Sequence, residues 1–306
     1  MNNIAIQTLP VSAREGIRLG ARLRLPSHEI AVHSFPDGEI RVTVGPAATT
    51  TVLYASLDRP NEKLIALLFA AEALRRLGAK RLILLAPYLC YMRQDTAFHD
   101  GEAISQKIIG SLLAGCLDRV ITVDAHLHRT SNIRTVFPGI EADNLSAMPA
   151  IAAALTKEGL DPATVLVGPD AESHSWVADL ARLLGLTSTV AEKSRRDDRS
   201  VEMRFLKPGR IADRPVLIVD DIVSSGGTMI ACAKALAAAG ATSINAVITH
   251  ALFSEDVGRE MISSGIRSIH STHSVPHYTN AIALDDLFVD ALKVEMTSPE
   301  FPEVSE

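Results

Sequence analysis

The 306-residue chain is poor in cysteine and in aromatic residues, with three cysteines and 4% phenylalanine, tyrosine and tryptophan together. Cys90, Cys116 and Cys232 form no CxxC pair, so neither a zinc ribbon nor a disulfide framework is supported, and a reducing cytoplasm is the expected location. No apolar run approaches the roughly 18 residues that span a bilayer. We therefore expect neither secretion nor membrane insertion.

The chain also lacks an excess of basic residues, because its formal net charge is −6. A protein that binds nucleic acid through bulk charge normally has a strongly basic face. We therefore expect no nucleic-acid partner, and any phosphate chemistry must be local.

What the sequence does contain is an alternation of short β-branched runs with Ala/Leu-rich helical segments. Strands that are buried on both faces and joined by crossover helices predict parallel sheets, whose ligands gather at the carboxyl ends of the strands. We predict an α/β protein of two similar domains, each a mainly parallel sheet flanked by helices, at residues 1–143 and 144–284. A final helix at about 285–296 could return to the first domain, and residues 298–306 are predicted to be a disordered tail.

The most informative segment, residues 216–228, reads VLIVDDIVSSGGT. We predict a buried strand over 216–219 that ends in the carboxylates of Asp220 and Asp221, then a loop of small residues and a helix that begins near Thr228. Carboxylates at that place could accept hydrogen bonds from ribose hydroxyls or hold a divalent cation.

Backbone N–H groups in such a loop, aided by the positive end of the helix dipole, can cradle a phosphate dianion. Glycine lets the backbone approach the phosphate oxygens closely, and hydroxyl groups add donors. We call this segment the phosphate loop; it consists of Ser224, Ser225, Gly226, Gly227 and Thr228. The same residues could also form a plain helix N-cap with glycine turn chemistry.

Other candidate segments are ambiguous when their residues are considered alone. The run from Phe35 to Glu39 is a typical Pro-Asp-Gly β-turn between two strands. His126 follows the strand at 120–124, but histidine is an unusual ligand for a hard cation, so its chemistry favours a hydrogen-bonding role. Asp170 follows the strand at 164–168, and its carboxylate suits Mg²⁺. Residues 192–199 are predicted to form a charged loop, which on its own would be solvated.

Together, and in their order along the chain, these segments resemble the ribose-phosphate pyrophosphokinase (PRPP synthetase) family, with some archaeal-type features at 100–107. Residues 216–228 resemble a ribose-phosphate signature that these synthetases share with type I phosphoribosyltransferases. Residues 35–39 and 93–95 resemble nucleotide-binding motifs that the transferases lack. The resemblance implies two phosphoribosyltransferase-type domains and the reaction of ATP with ribose 5-phosphate to give AMP and phosphoribosyl pyrophosphate.

The resemblance also implies a role for individual residues. Lys193 and Arg195 would be catalytic, on a mobile loop that closes over the transferring diphosphate. His126 and Asp170 would hold Mg²⁺, and the enzyme would be a homo-oligomer. The residues implied for ATP binding are Phe35, Asp37, Gly38, Glu39, Arg93, Gln94 and Asp95. Those implied for ribose 5-phosphate are Arg195, Asp220, Asp221 and the five residues of the phosphate loop.

Two stretches depart from the family pattern. After His126 the chain reads LHRTSNIRTVF, and after Asp170 the usual Gly-Gly pair is replaced by Ala-Glu-Ser. Because Glu172 would repel a phosphate, we expect it to point away or to contact the cation. Two alternatives remain open: a type I phosphoribosyltransferase and a catalytically weak regulatory homologue of the synthetases.

Overall fold

The computed structural model describes residues 4–127, 130, 132–197, 200–205 and 211–297. The chain forms two compact units, one of Met1–Leu145 with Asp285–Glu306 and one of Ser146–Leu284. The tail predicted at 298–306 lies outside the described residues. Within the described part of the chain, no helix has both the length and the apolar character needed to cross a bilayer.

The secondary structure alternates along the chain as the sequence pattern predicts. The strands are β1 (Ile4–Thr8), β2 (Ser27–Glu29), β3 (Ala31–Ser34), β4 (Ile40–Thr43), β5 (Thr50–Tyr54), β6 (Arg81–Ala86), β7 (Arg119–Val123), β8 (Glu141–Leu145), β9 (Val165–Gly168), β10 (Thr187–Asp197), β11 (Ser200–Phe205), β12 (Pro215–Val223), β13 (Ser243–Ala251), β14 (Ile266–Thr272) and β15 (Asn280–Ile282). The helices are α1 (Ala13–Leu23), α2 (Pro60–Arg76), α3 (Ser105–Ala114), α4 (Met148–Glu158), α5 (His174–Leu184), α6 (Gly227–Ala238), α7 (Glu255–Ser263) and α8 (Asp285–Thr297).

The first unit contains a six-stranded sheet in the order β2-β1-β5-β6-β7-β8, and every neighbouring pair in it is parallel. Because β5, β6 and β7 are successive neighbours, right-handed crossovers place α2 and α3 on the same face of the sheet. The step from β1 to β2 runs the opposite way across the sheet and puts α1 on the other face. Strands β3 and β4 form a separate antiparallel hairpin.

Helix α8 returns from the end of the chain to the first unit and is held there by ion pairs. Arg18 of α1 donates through Nε and Nη2 to the two oxygens of Asp285, at 2.9 and 2.8 Å. Near the other end of the helix, Glu295 accepts hydrogen bonds from Arg81 at 2.8 Å and from Arg119 at 2.9 Å. Burial alone would raise the pKa of Glu295, but these arginine hydrogen bonds and charges outweigh burial and lower it.

Replacing Glu295 by alanine is expected to lower the free energy of unfolding by about 3 kcal/mol, because it removes one partner of a buried charge cluster. Since the pKa of Glu295 is lowered in the folded state, its contribution is present above the ordinary carboxylate pKa and is lost as pH falls. Urea unfolding at pH 7 and at pH 4 measures both effects. Asp290→Ala, which removes an exposed pair with Lys293 on the same helix, should change stability little; equal losses in the two variants would contradict this role of Glu295.

The second unit contains a seven-stranded sheet in the order β11-β10-β9-β12-β13-β14-β15. Every pair is parallel except β10 with β11. The predicted fold class, two α/β units each built on a mainly parallel sheet, is therefore confirmed.

Two strands are longer than the sequence pattern predicts. The strand predicted at 216–219 continues to Val223, because β12 stays paired with β13 up to Val223 opposite Ala251. Asp220 and Asp221 therefore lie within the strand and not after it. The charged loop predicted at 192–199 is wrong for residues up to Asp197, where the backbone belongs to β10 and pairs with β11.

Candidate active site

Three carboxylates come together at the carboxyl edge of the sheet in the second unit. Strands β9 and β12 are neighbours; Asp170 follows β9, and Asp220 and Asp221 lie near the end of β12. Burial raises the pKa of Asp220 well above its ordinary value, and the charges of Asp221 and Asp170 raise it further. Asp221 is itself 5% exposed. An arrangement that opposes ionisation of an acid is typical of a site that receives a cation or hydrogen-bond donors.

The Asp170 carboxylate is held by the turn that follows it. One of its oxygens accepts hydrogen bonds from the N–H groups of Glu172 at 3.1 Å and Ser173 at 3.2 Å. The Ser173 hydroxyl donates to the carbonyl of Asp170 at 2.6 Å. Glu172 is exposed. The turn that replaces the family's Gly-Gly pair therefore orients Asp170 through its own backbone.

The phosphate loop directly follows β12 and leads into α6. Gly226 is the N-cap of this helix and has a left-handed backbone with φ of +72°. A Cβ at Gly226 would lie 2.5 Å from Cγ1 of Val257, whereas a Cβ at Gly227 would meet nothing within 4 Å. Ser224, Ser225 and Gly227 are exposed, and Thr228 is half-buried. The start of α6 thus offers hydroxyl and backbone donors, with the positive end of a helix dipole behind them.

The backbone of Lys193 and Arg195 lies on β10, next to the carboxylate strands. Pairing between β10 and β9 ends at Val190 opposite Gly168, and β10 then continues past this edge to Asp197. The side chains of Lys193 and Arg195 lie outside what the structure describes. Sequence reasoning missed this hairpin, although Val201, Met203 and Phe205 alternate with polar residues, which is the pattern of a strand.

In the first unit, residues 35–39 form the turn of the β3–β4 hairpin. Gly38 has φ of +91°, and the Phe35 N–H donates to the carbonyl of Glu39 at 2.8 Å. The Asp37 carboxylate accepts from the Glu39 N–H at 3.1 Å. The Phe35 ring is 38% exposed; it lies edge-to-face with His33, 4.8 Å between centroids, and the guanidinium carbon of Arg41 lies over it, 6.0 Å from the ring centroid. This ring therefore has a face that a planar base could cover.

The segment after β6 carries Arg93, Gln94 and Asp95. Arg93 is exposed, whereas Gln94 and Asp95 are half-buried. The Gln94 carbonyl accepts from the Gln106 N–H at 3.2 Å, and its side-chain oxygen accepts from the Ser105 hydroxyl at 3.3 Å. Gln94 thus helps to hold the start of α3, a contact that its sequence pattern does not reveal.

His126 is half-buried and lies just beyond the end of β7. Two residues earlier, Asp124 is buried and has φ of +37°, an unusual conformation for an L-residue. Its N–H donates to the carbonyl of Leu145 at 2.9 Å, and the Ala125 N–H donates to the side chain of Asn144 at 2.8 Å. Backbone strain of this kind often marks a functional site. Asp124 is a candidate that sequence reasoning left without a role, although a strand that runs straight into an acid was the available signal.

The predicted site residues divide between the two units. Those implied for ATP, and His126, belong to the first unit, whereas Asp170, Lys193, Arg195, Asp220, Asp221 and the phosphate loop belong to the second. His126 and Asp170 are therefore not part of one unit. Among the described residues, no group of three or more His, Cys, Asp and Glu side chains is placed to hold a metal ion.

Each of the two units contains a segment that matches a known protein family. Residues 15–116 match the N-terminal domain of ribose phosphate pyrophosphokinase, and residues 142–285 match the phosphoribosyl transferase domain. The chain is 34% identical to ribose-phosphate pyrophosphokinase 2 of Archaeoglobus fulgidus over 84% of its own length and 88% of the relative's. It is 31% identical to the ribose-phosphate pyrophosphokinase of Methanopyrus kandleri, over 87% of this chain and 92% of that one.

Among solved structures, the phosphoribosylpyrophosphate synthetase of Mycobacterium smegmatis is similar to this chain, with a TM-score of 0.84 and 21% identity. The match covers 96% of this chain and 99% of that protein, and it shows that the two share a fold. By the identity and coverage of its relatives, the chain belongs to the ribose-phosphate pyrophosphokinase family.

Proposed function

We propose that this protein is a ribose-phosphate diphosphokinase, which transfers the β,γ-diphosphate of ATP to the anomeric hydroxyl of ribose 5-phosphate and releases AMP. The observation that carries the proposal is the position of Asp220 and Asp221 near the end of β12, two residues before the phosphate loop, at the carboxyl edge of a parallel sheet. A sugar phosphate needs both parts, because its phosphate and its hydroxyls lie at opposite ends of one small molecule.

In this proposal the 5-phosphate binds at the start of α6, where exposed N–H and hydroxyl groups donate to it. Asp220 and Asp221 accept hydrogen bonds from the ribose hydroxyls, which would offset the burial and the charge repulsion that raise the pKa of Asp220. Lys193 and Arg195 stabilise the negative charge that develops around the β-phosphorus. Phe35, Asp37, Gly38, Glu39, Arg93, Gln94 and Asp95 bind ATP.

The reaction needs no protein nucleophile. The anomeric oxygen forms a bond to the β-phosphorus, and the bond from that phosphorus to the oxygen bridging the α- and β-phosphates breaks. AMP leaves with the electron pair, and the hydroxyl proton is released. Positioning and charge stabilisation are then the protein's main contributions, as in phosphoryl transfer generally.

Mg²⁺ is the cofactor that we propose for this site. Mg²⁺ prefers oxygen ligands, and proteins usually bind it through one or two carboxylates together with waters and substrate phosphates. The Asp170 carboxylate suits such an ion, because a cation beside it would offset the charges of Asp170 and Asp221 that add to burial in raising the pKa of Asp220. We propose Asp170 as a carboxylate ligand of the ion and, from the family resemblance, His126 of the first unit as a further candidate ligand. When bound, the ion would neutralise charge on the ATP phosphates.

We also propose that the protein acts in the cytoplasm as a homo-oligomer, without nucleic acid or a membrane as a partner. The small number of cysteines and the net charge of −6 support the location and the lack of a nucleic-acid partner.

ATP labelled at the β-phosphorus tests the reaction. We expect the label to move to a sugar product when ribose 5-phosphate and Mg²⁺ are present. A type I phosphoribosyltransferase would leave ATP unchanged and would instead release diphosphate from phosphoribosyl pyrophosphate and a base. A weak regulatory homologue would bind the substrates and move no label. Either result would contradict the proposal.

The two loop glycines allow the phosphate site to be tested separately from folding. We expect Gly227→Ala to fold normally, since its Cβ meets nothing within 4 Å, but to raise the KM for ribose 5-phosphate about tenfold or more by narrowing the approach to the backbone. Gly226→Ala should also lower stability by about 1–2 kcal/mol, because of its positive φ. Thermal melts and steady-state kinetics measure both effects. An unchanged KM in Gly227→Ala would contradict the assigned phosphate site.

A further inference from the structure

A buried histidine, His250, lies near the carboxyl end of β13 and is not used by the reaction proposed above. Ile244, Ala246 and Ile248 precede it at alternate positions of the same strand and belong to the apolar core of the second unit. Because alternate side chains of a strand share a face, His250 stands where another core residue would be expected. His250 is 1% exposed. An imidazole in such a place must find its hydrogen bonds within the protein.

The hydrogen bonds around His250 form a buried network at the carboxyl ends of β13 and β14. Nδ1 of His250 lies 2.8 Å from the Ser274 hydroxyl oxygen, which lies 2.7 Å from the Thr249 carbonyl oxygen. The Thr272 hydroxyl donates to the same carbonyl at 2.6 Å and accepts from the Ser274 N–H at 3.2 Å. We call these four residues the strand-end network. All four are buried, so removing one partner leaves a buried polar atom without that hydrogen bond.

The directions of these bonds define what the imidazole does. A carbonyl oxygen only accepts, so the single hydroxyl hydrogen of Ser274 points to Thr249. The Ser274 oxygen must then accept from His250, whose Nδ1 therefore carries a hydrogen. The Thr249 carbonyl has two lone pairs and can accept from both hydroxyls of the network. His250 is thus a hydrogen-bond donor to Ser274, a role that no aliphatic core residue could take.

The end of β12, which carries the carboxylates of the proposed ribose 5-phosphate site, depends on β13 for its position. Pairing of β12 with β9 ends at Ile218, whereas its pairing with β13 continues to Val223. Asp220 and Asp221 lie in this further stretch. Strand β13 is therefore the neighbour that holds the backbone of both acids and of the residue from which the phosphate loop starts.

The end of β13 is in turn held by the strand-end network. His250 is the register partner of Ile222, which lies between the two acids and the phosphate loop. Pairing of β13 with β14 ends at Ile248 opposite Ser271, and the strand-end network then joins the two strands through side chains. Side-chain bonds therefore take over the holding of β13 where its pairing with β14 stops, directly beside the part of β12 that forms the site.

We propose that His250 is a positioning residue for ribose 5-phosphate binding. By donating to Ser274 it fixes the end of β13, and through β13 it fixes Asp220 and Asp221 on β12. In this role it contacts no substrate itself. A fully satisfied polar network gives a core position a defined geometry that an apolar side chain does not enforce. The inference rests on the proposed function and names a residue, outside the site, on which the affinity for the sugar phosphate depends.

Binding of ribose 5-phosphate to the full-length protein, titrated with Mg²⁺ and the α,β-methylene analogue of ATP present, tests this role without requiring the reaction. We expect Ser274→Ala to weaken this binding about tenfold, because it removes the acceptor for His250. The affinity for the ATP analogue should be unchanged, since the residues proposed to bind ATP lie in the first unit.

Ser268→Ala is the matched control for Ser274→Ala. The Ser268 hydroxyl donates to Asn245 at 2.9 Å and so joins the same two strands near their other ends. This control should bind ribose 5-phosphate as the wild type does. Equal affinities in Ser274→Ala and the control would overturn the proposal. A wild type that binds ribose 5-phosphate but forms no AMP would contradict the proposed reaction alone, and the binding ratios would still decide the role of His250.

Substitutions of His250 itself separate positioning from a purely structural role. His250→Leu fills the space but donates nothing, so it should lose the same affinity as Ser274→Ala. His250→Asn keeps an N–H donor near the place of Nδ1 and should regain most of that affinity. Adding Ser274→Ala to His250→Leu should cause little further loss, because both changes remove the same bond.

A purely structural role gives a different result. It would lower the melting temperature and the fraction of protein that binds, but the folded fraction would keep the wild-type dissociation constant for ribose 5-phosphate. That outcome would overturn the proposal, as would losses of affinity that add in full in the double variant. Calorimetric titration reports the binding fraction and the dissociation constant separately, and thermal melts report the stability of each variant.

Discussion

Replacing Lys193 by alanine is expected to lower kcat by orders of magnitude with a modest effect on KM. In the proposed reaction Lys193 interacts with charge that develops on the β-phosphate and the bridging oxygen in the transition state. An interaction that is made mainly in the transition state appears in kcat and in kcat/KM, and little in KM. The backbone of Lys193 extends beyond the β9 edge that carries Asp170, which is consistent with this role.

Steady-state kinetics with ATP and ribose 5-phosphate each varied in turn would measure this effect. Lys157→Ala is a matched control, because Lys157 is an exposed lysine of the same unit, in the last turn of α4. We expect Lys157→Ala to keep the wild-type kcat. A Lys193→Ala enzyme with unchanged kcat would contradict the catalytic assignment. A large rise in KM alone would place Lys193 in ground-state binding.

Replacing Asp220 by asparagine is expected to make the protein more stable and much less active. Burial and the charges of Asp221 and Asp170 raise the pKa of Asp220 in the folded state. Above the unfolded-state pKa, the ionised carboxylate therefore opposes folding, and this penalty disappears as pH falls below that value. An amide removes the charge and keeps one acceptor oxygen. We expect a gain of about 1 kcal/mol at pH 7, or about 2–4 °C in melting temperature, and almost none near pH 4.

The loss of activity should appear in kcat/KM for ribose 5-phosphate, which we expect to fall about a hundredfold. A hundredfold loss corresponds to about 3 kcal/mol of transition-state stabilisation. This value is at the upper end of the free energies that hydrogen bonds to a charged group contribute. Asp179→Asn is the control, since its carboxylate is 60% exposed and pairs with Arg182 on α5; neither stability nor activity should change much. If Asp220→Asn is instead less stable than the wild type at pH 7, the Asp220 carboxylate stabilises the fold. That result would contradict the expectation that its ionised form opposes folding.

The fold class was predictable because its main signals are local. Short apolar runs such as those at 81–86 and 119–123, separated by helical segments, are identified as buried strands, and the helices between them require parallel connections. The attachment of α8 is different. Arg81 and Glu295 are 214 positions apart. No local sequence pattern shows that a glutamate near the end of the chain will pair with Arg81 in a buried cluster.

The site was predictable in part. The phosphate loop has a distinctive composition, and its helix starts at Gly227, within one residue of the predicted position near Thr228. The β10–β11 hairpin was not predicted, because the charged run 192–199 is typical of a solvated loop and the strand signal lies only in the alternating apolar residues of β11. The strain at Asp124 could not be predicted, since it depends on the Leu145 carbonyl, which belongs to a neighbouring strand.

The release of AMP is the most direct test of the central claim. Purified protein would be mixed with Mg²⁺ and ATP, with and without ribose 5-phosphate, and AMP would be followed over time. The proposed reaction predicts AMP only when ribose 5-phosphate is present, in equal amount to the sugar consumed. AMP formation without the sugar, or no AMP in its presence, would contradict the assignment of this chain as a ribose-phosphate diphosphokinase.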